Sequence, residues 1–221
     1  KEDVRQLLVR KRAKDIGAPL AYVNMTGAQD DLVFDGDSIV ATANGDIVAR
    51  APQFFDGLMV VDLDLRLRTS TPDVVISDVP LLAYEKITHG IAHPMSDLAQ
   101  AWQALVIGLR DYVEKNNFKS VILGLSGGID SAIVAAIAAD AIGAERVFGV
   151  GLPSRYSSDH SLTDAAELAK NIGLNYRVIE IEPMVSTFLS QLGLTGLAEE
   201  NVQARVRGTT LMGLSNQEGH L

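Results

Sequence analysis

The chain has 221 residues, room for one large or two modest domains, and 47% of them are hydrophobic, enough to bury a sizeable core. Cysteine is absent, which excludes disulfides, thiolate zinc sites and a cysteine nucleophile within these residues and fits a reducing cytoplasm. A net charge of −9 disfavours wholesale nucleic-acid binding, and no apolar run of about 18 residues offers a membrane span.

Residues 2–16 set Val4, Leu7, Leu8 and Ile16 among charges, the pattern of an amphipathic helix rather than a signal peptide, and Gly17 and Pro19 stop it. Short strands are predicted at 19–25, 37–43 and 46–51. The last two meet at Asn44-Gly45, a hairpin signal because both turn positions require positive φ. Residues 58–65, LMVVDLDL, read as a further strand. From 66 to 95 no period is sustained, and Pro72, Pro80 and Pro94 punctuate a linker with one short strand at 74–77. The resulting division is 1–66, a linker at 67–95, and 96–221.

The second section opens with Leu98, Ala101, Trp102, Leu105, Leu109 and Tyr112 at helical spacing behind Ser96, a suitable N-cap. Residues 120–126, SVILGLS, form an apolar run typical of a strand buried on both faces. A helix at 131–142, a strand at 146–152, a helix at 160–172, a strand at 175–181 and helices at 184–192 and 200–216 follow. This βαβαβα order predicts an α/β fold with a parallel sheet and crossover helices.

Between the first of these strands and its helix lies Gly124-Leu125-Ser126-Gly127-Gly128-Ile129-Asp130-Ser131. A strand-to-helix junction in an open α/β sheet is where ligands bind, and free amides at a helix N-terminus favour an anion. Gly127 and Gly128 allow backbone to approach a phosphate without a Cβ in the way, and Ser126 and Ser131 add hydroxyls. The spacing fits neither G-x-x-x-x-G-K-[ST] nor G-x-G-x-x-G. Asp130 would repel a bare phosphate, so the loop suits a nucleotide whose pyrophosphate is bridged to Asp130 by a divalent cation. Two other segments carry anion-binding groups. Residues 152–161, LPSRYSSDHS, offer Arg155 and the hydroxyls of Ser154, Ser157, Ser158 and Ser161, or simply a polar cap for the next helix. In the last helix Asn201 and Arg205 fall on one face, with Gln203 and Arg207 on another.

The string S-G-G-x-D-S resembles the pyrophosphate loop of the PP-loop ATP pyrophosphatases. Together with L-P-S-R-Y-S-S (152–158) and E-N-V-Q-A-R-V-R-G (200–208) it resembles, in order and spacing, the glutamine-dependent NAD synthetases. V-N-M-T-G-A-Q-D-D-L-V-F-D-G-D-S (23–38) is similar to the late part of their glutaminase domain. The resemblance implies part of a nitrilase-like αββα domain followed by a Rossmann-like PP-loop domain. It implies that ATP adenylates the nicotinate carboxylate of deamido-NAD, that ammonia from glutamine displaces AMP, and that the enzyme is a cytoplasmic homo-oligomer built on a synthetase-domain dimer. By resemblance Gly124 to Ser131 and Arg155 bind ATP, Asp130 binds Mg2+, Asn201, Arg205 and Arg207 lie in the deamido-NAD helix, and Lys1 contacts glutamine.

The chain departs from that family in lacking the cysteine of the Glu-Lys-Cys glutaminase triad. It begins at Lys1 within a helical pattern and stops at Gly219-His220-Leu221, short of a family strand and a loop bearing a Thr, a second metal-binding Glu and a Lys. The expectation is a portion of a longer protein, unable alone to catalyse the whole reaction. Two other readings stay open: a different PP-loop ligase, tRNA-modifying or GMP-forming, and a nucleotide-binding module without transfer activity.

Overall fold

The computed structural model describes residues 4–65, 71–77, 79, 80, 82–85, 87, 90–155 and 158–221. Lys1 lies outside them. The chain forms two compact units, one of residues 1–27 and 34–100, the other of 28–33 and 101–221.

In the first unit α1 (Val4–Ile16) covers a three-stranded antiparallel sheet of β1 (Leu20–Tyr22), β4 (Ile39–Ala41) and β5 (Ile47–Arg50), in the order β1-β4-β5. Val9 and Ala13 of the helix meet Ile39 and Ala41 of the sheet in a small apolar core. The β4–β5 turn uses Gly45 at φ +79°, where a Cβ would also lie 2.8 Å from the Arg10 carbonyl, but Asn44 does not take the positive φ expected of it, because the turn runs from Thr42 to Gly45, whose N–H bonds the Thr42 carbonyl at 2.9 Å. A hairpin, β2 (Thr26–Gln29) and β3 (Leu32–Asp35), precedes β4 in the chain and turns at Asp30 with φ 50°; its residues 28–33 belong to the second unit. Asp tolerates this left-handed conformation better than most residues, and the sequence reading had no hairpin there.

Charge is buried beside this sheet. Asp37 and Arg50 are 3% and 5% exposed and meet through paired contacts, Nε to Oδ1 at 2.6 Å and Nη2 to Oδ2 at 2.8 Å. Arg5 adds contacts of 2.9 Å to both Asp37 and Asp35, closing a cluster of two arginines and two aspartates.

The strands expected at 58–65 and 74–77 do not form. Leu58 and Ile76 are exposed, and the backbone bonds there are irregular, such as Asp62 N–H to the Ile87 carbonyl. Apolar composition alone makes no strand without a neighbour to complete its ladder.

The second unit is built on a parallel sheet, β6 (Val121–Gly124), β7 (Val147–Gly151) and β8 (Asn175–Val178), in the order β6-β7-β8. The helices α3 (Ile129–Ile142) and α4 (Asp159–Ile172) make the crossovers. Ala135, Ala165 and Ala169 pack with Leu125 on one side, small side chains that bring these helices close to the strands. On the other side α5 (Glu182–Leu192) and α6 (Leu197–Glu218) bury Val185 and Val206 with Val150 and Ile181. Each fully buried Val or Ile contributes about 1.5–3 kcal/mol. Gly151 ends β7 because a Cβ there would lie 2.4 Å from the Tyr176 hydroxyl. The long α2 (Asp97–Lys115) starts where Ser96 Oγ accepts from Ala99 N–H at 3.3 Å. Its Val106 and Val113 join Val121, Ala138 and Val147 in a further core. Within this unit Asp111 of α2 receives the Ala28 N–H at 2.7 Å.

Candidate active site

The site begins where β6 runs out of its ladder. Leu125, 2% exposed, still donates its N–H to the Val150 carbonyl at 2.9 Å, so the chain is anchored up to the residue before the loop. From there the loop is folded by its own hydroxyls. Ser126 Oγ and Ser131 Oγ lie 3.0 Å apart, Ser131 Oγ receives the Ser126 N–H at 3.2 Å, and Ser126 Oγ receives the Gly128 N–H at 3.2 Å. Gly127 takes φ +78°, and a Cβ there would sit 2.2 Å from the Ser161 carbonyl oxygen. The position demands glycine twice, for its backbone angle and for the close approach of α4.

No side chain caps α3. Its first N–H groups have no acceptor within the helix, and with the helix dipole they form an anion-attracting end. Asp130, in this first turn, is exposed and meets no partner among the described residues.

Beside the loop lies a cavity of about 490 Å3, lined by Gly124, Leu125 and Ser126, by Leu152 and Pro153 after β7, by Ser158 and Ser161 of the α4 start, and by Arg207 and Leu211 of α6. It therefore opens at the carboxyl ends of parallel strands, the position that suits a ligand in an open α/β sheet. Ser158 also caps α4, accepting the Ser161 N–H at 3.2 Å. Arg207 is the one charged residue in the lining among the described residues. Its Nε donates to the Leu152 carbonyl at 3.2 Å, and its Nη2 lies 3.5 Å from Ser154 Oγ. Among the described residues no carboxylate forms an ion pair with it.

The other candidates fall elsewhere. Arg155 is not in the cavity lining and is engaged by acids. Its guanidinium pairs with Glu199 and lies 3.9 Å from Glu182, whose Oε2 also receives the Arg155 N–H at 3.0 Å. That N–H, with the Ser186 hydroxyl, holds the Glu182 carboxyl below its ordinary pKa. Asn201 and Arg205 are exposed, and Arg205 Nη1 donates back to the Asn201 carbonyl at 3.1 Å. Arg205 borders a second cavity, an apolar groove of about 600 Å3 between α5 and α6 that includes Met184, Phe188 and Leu192. Among the described residues no three His, Cys, Asp or Glu side chains cluster to hold a metal ion, and no helix is long and apolar enough to cross a membrane. The sequence reading did not single out Leu152 or the buried contact of Ser154 with Gln203. Neither a carbonyl nor a pairing 49 positions apart leaves a local signature.

Comparison with known proteins follows the two units. Residues 101–221 match the family described as NAD synthase, and residues 1–73 match the carbon-nitrogen hydrolase family. A glutamine-dependent NAD(+) synthetase of Synechocystis sp. is 44% identical, over 100% of this chain and 38% of its own length. The structure of glutamine-dependent NAD+ synthetase from Acinetobacter baumannii in complex with adenosine diphosphate superposes with a TM-score of 0.82 at 42% identity, covering 98% of this chain and 39% of that one. An NH3-dependent NAD synthetase from Campylobacter jejuni, 32% identical, covers 57% of this chain and 56% of its own with a TM-score of 0.54. The chain thus spans about two fifths of the length of the glutamine-dependent relatives it matches. With a family match over more than half of its residues and relatives above 40% identity along its whole length, the chain belongs to the NAD synthase family.

Proposed function

We propose that the protein carrying this chain is a glutamine-dependent NAD synthetase, and that the crevice beside Ser126 is its ATP site. The observation that carries the reading is the hydroxyl-folded loop at the uncapped start of α3, facing a cavity whose single charged lining residue, among the described residues, is a cation. An ADP complex of a relative with the same overall fold supports it.

In the proposed reaction a carboxylate oxygen of deamido-NAD attacks the α-phosphorus of ATP and pyrophosphate leaves. Ammonia then adds to the acyl carbon, loses a proton, and expels AMP to give the amide. The negative charge that builds on pyrophosphate is met by the first N–H groups of α3, which have no acceptor within the helix, and by the α3 dipole, groups already oriented before substrate binds. Arg207 supplies positive charge in the same crevice. Arg155, now held by Glu182 and Glu199, would have to exchange an acid for a phosphate to join. Asp130 would be the residue to hold a Mg2+ that accompanies the nucleotide, since a lone exposed carboxylate is the kind of single protein ligand that this ion accepts. The ion would neutralise phosphate charge when bound.

Residues 1–66 are proposed as the late part of the glutaminase domain, 67–95 as linker and 96–221 as synthetase domain. Ammonia would come from glutamine hydrolysed at a cysteine outside these residues, with Lys1 as a glutamine contact. Asn201, Arg205 and Arg207 are the deamido-NAD candidates. The apolar α5–α6 groove supports a homo-oligomer paired through the synthetase domain, and the cytoplasm is the proposed compartment.

The test is pyrophosphate release from ATP by the protein that carries this chain, offered deamido-NAD or other carboxylate acceptors, with glutamine or ammonia. Release that depends on deamido-NAD and yields NAD with either nitrogen source is expected. Release with a different acceptor, or ATP binding without release, overturns the assignment.

A further inference from the structure

Gln203 has a role in this crevice that its position on α6 does not announce. It is 6% exposed, and Ser154, its partner, is 8% exposed. The Ser154 hydroxyl donates to Gln203 Oε1 at 2.7 Å. A hydroxyl has one proton, so once it is given to Gln203 the oxygen presents only lone pairs elsewhere. Arg207 Nη2 lies on that oxygen at 3.5 Å, while its Nε is fixed more tightly by the Leu152 carbonyl. The Gln203 amide oxygen takes the hydroxyl proton and leaves a lone pair of Ser154 Oγ for the guanidinium.

Among the described residues the groups that touch the guanidinium, the Leu152 carbonyl and the Ser154 hydroxyl, are neutral, and Glu199 and Glu200, which line a cavity with Gln203 and Arg207, form no ion pair with it. Arg155, close by in sequence, is instead saturated with carboxylates. We propose that Gln203 is a positioning residue that, through Ser154, holds Arg207 as an uncompensated cation in the crevice for a phosphate-bearing ligand. The proposal rests on the reading of the crevice as a nucleotide site. A carboxylate in place of the Gln203 amide would accept the same proton with nearly the same shape but would place a negative charge one hydroxyl away from Arg207, in surroundings where charges are weakly screened. The neutral amide keeps the field of Arg207 directed at the ligand.

The experiment compares parent, Gln203→Glu and Ser154→Ala in the protein that carries this chain, by calorimetric titration with ATP and with deamido-NAD, and with adenosine as the phosphate-free probe. Gln203→Glu is expected to weaken at least one phosphate-bearing ligand about tenfold and adenosine less than twofold, and the loss is expected to shrink as the pH is lowered through the new carboxyl's titration. Ser154→Ala, which adds no charge and keeps the Leu152 contact, is expected to weaken the same ligand about threefold and provides the reading if Gln203→Glu does not fold. Equal losses for adenosine and the phosphate-bearing ligand would mean that the contact only braces the fold and would overturn the role given to Gln203. So would unchanged affinity for both nucleotides in either variant. A parent protein that binds no ATP at all would instead overturn the nucleotide site itself.

Discussion

Arg50 in the first unit and Arg207 in the second are treated in opposite ways. In the first, Arg50 and Asp37 are almost fully buried and Arg5 and Asp35 complete their neutralisation, so the charges are spent on one another. In the second, Arg207 is half-buried against a carbonyl and a hydroxyl with no ion-paired acid among the described residues, so its charge is left for whatever enters the cavity. A buried ion pair gains little net stability over apolar packing but becomes costly when one member is lost. A cation held by neutral groups costs the fold little when removed and is expressed only when an anion arrives. Burial and pairing, rather than residue type, thus separate an arginine that holds a fold from one that serves a site.

The sharpest way to break this contrast is at Asp37. Asp37→Ala takes the buried carboxylate away from the buried Arg50 and is expected to destabilise the first unit by about 3–5 kcal/mol. Urea unfolding of the protein that carries this chain measures it, with ATP affinity as the control. A loss of ATP binding with unchanged unfolding would reverse the roles assigned to the two units.

Arg207→Gln is the complementary change. Loss of a charged contact to phosphate is worth about 2 kcal/mol, roughly a thirtyfold weakening of a phosphate-bearing ligand. The unfolding midpoint should stay within about 0.5 kcal/mol of the parent, as for an ordinary surface substitution. Arg155→Gln sharpens the comparison, because that side chain is half exposed and already paired with Glu182 and Glu199. Its effect on ATP affinity is expected to be under about threefold, the scale of a screened surface pair. Titration calorimetry on both variants decides the order, and an Arg155 effect larger than that of Arg207 would shift the cationic role to the β7–α4 loop.

How much of this was legible beforehand depended on the range of the forces involved. The loop at 124–131 was readable because most of its causes are local: a strand that ends, a helix that begins, and a glycine at positive φ. The Asn44-Gly45 hairpin was readable for the same reason. The hairpin turning at Asp30 was not, since two aspartates carry a weaker turn signal than Asn-Gly. Residues 58–65 misled because apolar β-formers describe a tendency, whereas a strand needs a neighbour. Helical spacing put Gln203 and Arg207 on one face of α6, but their shared partner Ser154 lies 49 positions before Gln203. The acids holding Arg155 are 27 and 44 positions away. Such pairings are settled by the sheet that brings the elements together.

The smallest expected effect tests a carboxylate of intermediate kind, Asp111 on α2. Its side chain is 17% exposed, between the buried Asp37 and the exposed Asp130. Burial raises its pKa, but the Ala28 N–H and the Lys115 ammonium, with a further attraction from Arg110, outweigh burial, and the net displacement is downward. A carboxyl with a depressed folded-state pKa contributes stability that is fully present above its unfolded pKa and lost as the pH falls through the folded one. Asp111 should therefore stabilise at neutral pH and cease to do so below about pH 4, in the ordinary aspartate range and under it. Lys115 is largely exposed, so screening limits the contribution to at most about 1 kcal/mol. Asp111→Asn keeps an acceptor for Ala28 while removing the charge. Urea midpoints of parent and variant should differ at pH 7 and converge towards pH 3, with the pH 7 gap narrowing in high salt. A gap that persists unchanged at pH 3 would show that Asp111 acts through hydrogen-bond geometry alone, as a neutral acceptor would.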